Sequence, residues 1–507
     1  MSLAEVPRPE RDPNPFGEPI TRAWLTQLET STDFWNRTPQ LQYIAHVAAK
    51  KKVSPWGLLA LVQEHQASHI PPYVVLVDKE GAAGTILSDG TSLNGLVSLV
   101  ARTGGGKSVT FKIATSLIPP KGTPVPNGTG QGIMTTFVES RTATKDSEGK
   151  PLEFPKKKIG FHRHSAVIHA AEVKTLNAEL GRDGSITDSL LRSLWVGETV
   201  GMANADTKRR ALVPANVLRF SGIWGVQPVN AWAILDQADD GTPQRFVWAP
   251  AEEYRKNPPA RKAPTPGVTF DPKCPFPLPV FTGNGSFGVS DDLMPQEIDE
   301  DCTGQLPDPV WVTWSPQMST DIAALQAREA ELFDRDPYAK LTAAQKAAER
   351  ELIMTSHFTL TTIKQTAKMG WIHGNPNPTD LDWELSQIQM QVSTRELAGV
   401  WEKCDAESLF RKQRKGFDQG IEHDARKQMI DSIAEGRIIA LAEKIWAYLA
   451  EKPHTLPELK PRTSSKTTRD LMPVALNWLR DQKRAESVAT TGGVVWHALI
   501  DGKRVAA

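Results

Sequence analysis

The sequence predicts an α/β fold, in which a parallel sheet alternates with helices over a core of about 250 residues. Three observations lead there. Short apolar runs recur at Tyr73-Val74-Val75-Leu76-Val77, Leu96-Val97-Ser98-Leu99-Val100, Ala166-Val167-Ile168 and 218–226, with helical patterning between them. The second run has the near-continuous apolar character of a strand buried on both faces. It leads straight into a glycine-rich turn and then a helix.

A chain of 507 residues is too long for one core and implies two to four units. Hydrophobic residues at 39% and charged residues at 23% are ordinary for soluble protein. No segment approaches the ~20 apolar residues of a membrane helix, so no membrane partner is expected. Residues 1–33 begin Pro-rich and acidic, without the apolar stretch of a signal peptide, and read as a disordered leader. Cys274, Cys302 and Cys404 are far apart and form no C-x-x-C pair. Neither a disulfide framework nor a zinc site follows, and a cytoplasmic, reducing compartment is expected. With 59 basic and 59 acidic side chains, any basic surface must be local.

Residues 34–70 carry apolar positions at helical spacing, among them Leu41, Ile44, Trp56, Leu59 and Val62, with Ser54-Pro55 as a helix start. They form a helical preface to a core at 71–250. Prolines and acids crowd 251–319, which reads as an insertion or linker. Helical patterning returns over 320–403 as a subdomain, 404–435 reads as a linker, and 436–507 has its own logic. There a helix with Ile438, Leu441, Ile445 and Leu449 on one face is followed by a Pro-rich turn. A second helix bears Leu471, Val474, Ala475, Trp478 and Leu479, and a glycine-turn hairpin follows. This order predicts a winged helix-turn-helix.

The turn after the 96–100 strand is Ala101-Arg102-Thr103-Gly104-Gly105-Gly106-Lys107-Ser108, with a helix expected over 109–117. Strand, glycine turn, Lys-Ser and helix form the context of a phosphate-binding P-loop, because backbone N–H groups and the helix dipole then point at one anion. Thr103, Gly104, Gly105 and Gly106 would wrap the phosphates of ATP. Lys107 would neutralise the β- and γ-phosphates, and the Ser108 hydroxyl would ligate Mg²⁺. Ala101 stands where the consensus has Gly.

A later strand ends in Ala170-Ala171-Glu172, where Glu172 is the candidate general base toward an attacking water and Ala171 replaces the usual Asp. Gln227, after the 218–226 strand, fits a sensor holding water or the γ-phosphate. Arg245, in Gln244-Arg245-Phe246, is either a salt-bridged structural residue or an arginine finger completing a neighbour's site. As a finger it makes the protein a homo-oligomer, most naturally a ring such as a hexamer. His162, His164 and His169 lack metal-ligand spacing and read as polar positions.

Together these residues resemble a family of P-loop ATPases carried by actinobacterial phages and integrative elements, often near primase-polymerase genes. The likeness covers roughly 34–400 and rests on Ser54-Pro55-Trp56, Ser92-Leu93-Asn94, the glycine loop, Glu172-Val173, Leu194-Trp195-Val196-Gly197-Glu198, Gly225-Val226-Gln227-Pro228 and Gly241-Thr242-Pro243-Gln244-Arg245-Phe246-Val247-Trp248. The resemblance implies a RecA-like or helicase-like P-loop NTPase core acting on DNA in replication of a mobile element, with a primase-polymerase as a candidate partner. It also implies that the interval holding Lys208, Arg209 and Arg210 faces a central pore and meets a phosphate backbone; a solvated charged turn is the alternative. Residues 437–507 hold twelve Lys and Arg against seven Asp and Glu, and Lys466, Arg469 and Arg480 on the second helix could contact single- or double-stranded DNA. Two functions follow as expectations: an ATP-dependent DNA-replication motor, or a nucleotide-gated DNA-binding adaptor, a helicase loader or regulator, with slow or no hydrolysis.

Overall fold

In a computed structural model, which describes residues 14–76, 90–146, 148–181, 185–202, 211–237, 240–256, 258–259, 263–265, 281–282, 286–287, 294–299, 306–313, 315–333, 342–462, 466–491 and 493–505, capping chemistry starts the first helices. The Thr21 side chain accepts from the Trp24 N–H to open α1 (Arg22–Thr32). Thr38 accepts from Leu41, with Pro39 in the first turn, to open α2 (Pro39–Lys51). Pro55 opens α3 (Pro55–Ala67), in which every residue is buried. Then come β1 (Val74–Leu76), β2 (Thr91–Ser92), β3 (Gly95–Val100), α4 (Lys107–Leu117) and α5 (Gly130–Phe137). A long antiparallel ribbon, β4 (Val138–Lys145) and β5 (Pro151–Phe161), precedes β6 (Ser165–Ala170), α6 (Lys174–Leu180), α7 (Thr187–Val196) and the short hairpin β7 (Val200–Met202) with β8 (Ala211–Val213). The chain continues through β9 (Arg219–Val226), α8 (Trp232–Leu235), β10 (Phe246–Pro250), the pair β11 (Phe281–Thr282) and β12 (Ser286–Phe287), β13 (Glu297–Asp299) and β14 (Val310–Val312). Three helices follow: α9 (Pro316–Phe333), α10 (Ala343–Ile372) and α11 (Asp380–Glu451).

The central sheet runs β10-β3-β9-β6, and every pairing is parallel. A parallel bridge from Val125 to Ile168 continues it beyond β6. Strand alternation splits its side chains between two cores. Val97, Leu99, Val167, Ile223, Val247 and Ala249 pack with α2, α3 and α4, whereas Leu96, Val100, Ile168, Phe220, Trp224, Phe246 and Trp248 pack with α5, α6 and α7. Both faces are covered, which is why β3 and β9 are buried throughout. The chain is thus mixed α/β, about half helical, with parallel strands at its centre.

Beside this apolar core runs a chain of buried polar groups. Arg219, at the start of β9, donates to the carbonyls of Ile70, Pro71 and Val74. Burial lowers its pKa to about 9. Lys368 from α10 pairs with Glu64 from α3, both side chains at 0% exposure, and Lys364, one turn earlier, lies 3.9 Å from the Trp195 ring centroid. Breaking such a pair from one side strands a charge, so Lys368→Met is expected to cost about 3–5 kcal/mol in urea unfolding.

The chain divides into two compact units, Met1–Glu407 and Ser408–Ala507. The second has its own core of Leu441, Ile445, Leu449, Met472, Leu476, Leu479 and Ala498. After the end of α11 come β15 (His454–Thr455), α12 (Leu456–Leu459), α13 (Lys466–Asp481), β16 (Ala485–Thr490), β17 (Gly493–Ile500) and β18 (Lys503–Arg504). The strands pair in the order β15-β17-β16, with β18 on β17.

Three expected boundaries differ from the structure. Residues 1–13 lie outside the described residues, but 14–33 are not a free leader: Phe16 packs edge-on against Trp401, and Glu29 of α1 is buried against Arg255. The expected insertion begins too early, because residues 251–256 are tied into the first unit and β14 pairs in parallel with β1. The expected linker 404–435 lies within α11, whose Lys, Arg, Glu and Gln are good helix formers.

Candidate phosphate-loop site

β3 ends in the middle of the sheet, and the N–H of Ala101 still bonds the Val226 carbonyl of β9 at 3.0 Å. The chain then turns through Gly104 (φ +75°) and Gly106 (φ +91°), the latter capping α4 in a left-handed conformation open to glycine. Lys107 and Ser108 therefore occupy the first turn of a helix whose N-terminus faces out from the carboxyl end of a parallel sheet, where ligands of such sheets bind. Ser108 is exposed, and the Lys107 Nζ donates to the loop's own carbonyls, to Ala101 at 2.8 Å and Arg102 at 3.1 Å. Burial lowers the Lys107 pKa, while the fields of Glu172 and Glu252 act the other way.

Glu172 follows β6 and reaches the same end of the sheet. The N–H of Val173 bonds the Gly225 carbonyl at 2.8 Å, which fixes the turn that carries Glu172. Close approach makes Gly225 obligatory: a Cβ there would collide with the Ala171 carbonyl and lie 3.3 Å from Lys107 Cδ. The Glu172 carboxylate is exposed, with Lys174 3.9 Å away. Because β9 intervenes, β3 and β6 are about 10 Å apart. Gln227 follows β9 at the same edge; its Oε1 accepts from the Asn230 amide at 3.1 Å, and the Asn230 carbonyl accepts from Asn177 of α6 at 2.6 Å.

A cleft of about 880 Å³ opens beside the loop, lined by Arg102, Gln227, Glu252, Tyr254, Arg395 and Glu396 among others. Glu252 was not legible as a site residue, because it falls in the Pro-rich stretch. It follows β10, pairs with Arg102 at 2.8 Å, and its Oε2 stands 2.9 Å from where a Gly105 Cβ would be. Deeper in, Tyr254 donates to Glu396 at 2.6 Å. Burial raises the Glu396 pKa to about 7 from 4.5. A raised carboxyl stabilises the fold below about pH 4.5 and loses that contribution as pH rises through about 7. Glu396→Gln is therefore expected to exceed the parent chain in stability above pH 7, by on the order of 3 kcal/mol, and to match it at acid pH. Thermal melting at pH 4.5 and pH 8 checks this.

Compared with family models and with curated proteins, the chain matches none.

Thr103, Gly104, Gly105, Gly106, Lys107, Ser108, Glu172 and Gln227 thus share one edge of the sheet. Arg245 does not. It precedes β10, whose Phe246 is paired with Leu96 near the start of β3, so it stands at the opposite end of the strands. Its guanidinium lies 5.4 Å from the Trp195 ring centroid and donates to the Asp240 carbonyl. Burial lowers its pKa to about 10. Arg245 therefore has no part in the loop site of its own chain. Histidines 162, 164 and 169 also stay apart from the loop: His164 bonds the carbonyls of Val217 and Pro295, His169 stacks on Phe111, and His162 lies 3.7 Å from Glu139.

Lys208, Arg209 and Arg210 lie outside the described residues; β7 and β8, on either side of them in sequence, form an antiparallel pair. In the second unit Arg469 and Arg480 are exposed on α13, and Lys466 is its first residue. Arg484 is engaged, paired with Glu443 and stacked over Trp446. No helix among the described residues is long and apolar enough to cross a membrane.

Proposed function

We propose that the chain is an ATP-dependent DNA-replication motor of a phage or mobile element, with a RecA-like core and a C-terminal winged helix-turn-helix. One observation carries the reading: an N-terminal Lys-Ser helix turn and a strand-end glutamate meet at the carboxyl edge of a parallel sheet, one strand apart. The positive-φ glycines, the exposed Ser108 and a Lys107 resting on the loop's carbonyls fit triphosphate and Mg²⁺, with backbone N–H groups of the loop as donors and the Ser108 hydroxyl as a ligand. Mg²⁺ supplies charge neutralisation on the phosphates when bound. On arrival of ATP, Lys107 leaves its two loop carbonyls for the phosphate oxygens. Glu172 takes the proton of the attacking water, and Gln227, held through Asn230 and Asn177, orients that water. The neighbouring cleft takes base and ribose.

The second unit supports the winged-helix reading through its order: helix, short strand, helix, helix, hairpin, with β15 beside β17. Arg469 and Arg480 are its phosphate contacts, with Lys466 at the start of the same helix. A ring-shaped homo-oligomer in the cytoplasm, working with a primase-polymerase, completes the proposal. In it Arg245, which stands apart from its own loop, would serve only as a finger reaching a neighbour's site.

Ala171 favours a second reading, a nucleotide-gated adaptor, because no carboxylate stands there to help hold the ion. Phosphate release measured with and without single- and double-stranded DNA separates the two. Strong stimulation by DNA supports the motor; tight ATP binding with negligible turnover under every condition moves the assignment to the adaptor.

A further inference from the structure

We propose that the β4–β5 ribbon is a docking surface for single-stranded nucleic acid, centred on Phe154 and Lys156. The inference deepens the reading of the chain as a DNA-acting ATPase and rests on it. The ribbon is rooted in the first unit by Val138, Ile159 and Phe161, all buried, and by β13, which pairs with β5 from Lys158 to Gly160. Beyond that root its residues are half-buried or exposed on both strands.

Phe154 is 74% exposed, the highest value of any large hydrophobic among the described residues. A lone exposed ring is common on protein surfaces, but the setting of this one is particular. Ala143 pairs with Lys156 and Lys145 with Pro151, so Leu152, Glu153, Phe154 and Pro155 stand opposite the single residue Thr144. Such a bulge re-aims side chains and ends regular pairing. Pro151 and Pro155 lack an N–H, which discourages the ribbon from adding another strand. Strand addition is therefore a poor account of the ring's exposure.

Charge supplies the complement. Between positions 138 and 161 the sequence holds six Lys and Arg against four Asp and Glu. At the root Arg141 is paired with Glu139 and Glu297, with Lys158 3.7 Å from Glu297, and near the tip Lys150 is paired with Glu148. Among the described residues no carboxylate lies within ion-pair reach of Lys145 or Lys156. These two cations flank the bulge that carries Phe154, and Lys156 is two residues, about 7 Å, along the strand from it. An aromatic face bordered by unneutralised cations is a platform for an unstacked base and its phosphates, and every base presents a π-face, so binding is tolerant of sequence. A duplex keeps its bases stacked and offers the ring nothing. β8 lies against both ribbon strands.

The test is fluorescence anisotropy of the full chain with labelled oligo-dT of roughly twenty nucleotides and with a duplex of equal length, over a salt series. Phe154→Ala is expected to weaken oligo-dT binding about 10- to 100-fold with little change in salt slope. Lys156→Glu is expected to weaken it and to flatten the slope. Both exposed substitutions should leave binding of a fluorescent ATP analogue unchanged. Oligo-dT binding that survives both substitutions would overturn the ribbon proposal and leave the DNA-acting reading standing. Absence of any DNA binding by the parent chain would overturn both, and displacement of oligo-dT by poly-glutamate at equal charge would reassign the surface to an acidic protein partner.

Discussion

Replacing Lys107 by Ala is expected to weaken Mg-ATP binding at least ~100-fold, as read by titration calorimetry, and to remove any rise in melting temperature caused by ATP. Lys107 is the one cation in the first turn of α4, and its Nζ already sits on the loop, bound to the Ala101 and Arg102 carbonyls. Charge-assisted bonds from an ammonium to phosphate are worth about 1.5–3 kcal/mol each, so losing two accounts for the expected fall. Stability without nucleotide should change little, because the half-buried side chain makes no ion pair among the described residues that its loss would break. ATP binding by Lys107→Ala at parental strength would place the nucleotide elsewhere.

The second large effect is on turnover. Glu172→Gln keeps the shape of the turn fixed by the Val173 to Gly225 bond but cannot accept a proton from water. Hydrolysis is expected to fall 10²–10⁴-fold while ATP binding is retained. Single-turnover phosphate release checks this. Undiminished turnover would move the base to another carboxylate, with Glu252, facing Gly105, the first to examine.

The loop was legible because its parts are local. An apolar strand, glycines that tolerate positive φ, Lys-Ser and an amphipathic helix are adjacent in sequence, and adjacency fixes their geometry. Glu172 and Gln227 were legible for a related reason: each directly follows an apolar run, and in a parallel sheet residues that follow strands gather at one edge. The same rule places Arg245, which precedes its strand, at the far edge, where Trp195 and the Asp240 carbonyl hold it.

Other features depend on partners distant in sequence. Glu252 acquires its setting from Arg102, and Glu29 from Arg255. Lys364 and Lys368 look like a solvated face of α10, yet Glu64 and Trp195 draw them into the core. The stretch 404–435 reads as linker because it lacks an apolar stripe, whereas its residues keep a helical backbone by propensity. The parallel order β10-β3-β9-β6 is likewise a long-range outcome, since no strand states its neighbour.

The most direct measurement is a structure of the chain with Mg²⁺ and a non-hydrolysable ATP analogue. The account predicts phosphates seated over Gly104, Gly105 and Gly106, the Lys107 Nζ transferred from the Ala101 and Arg102 carbonyls to phosphate oxygen, and Glu172 facing the terminal phosphate across a water. A nucleotide bound away from this loop, or a Lys107 still on its own carbonyls beneath the bound analogue, would contradict it.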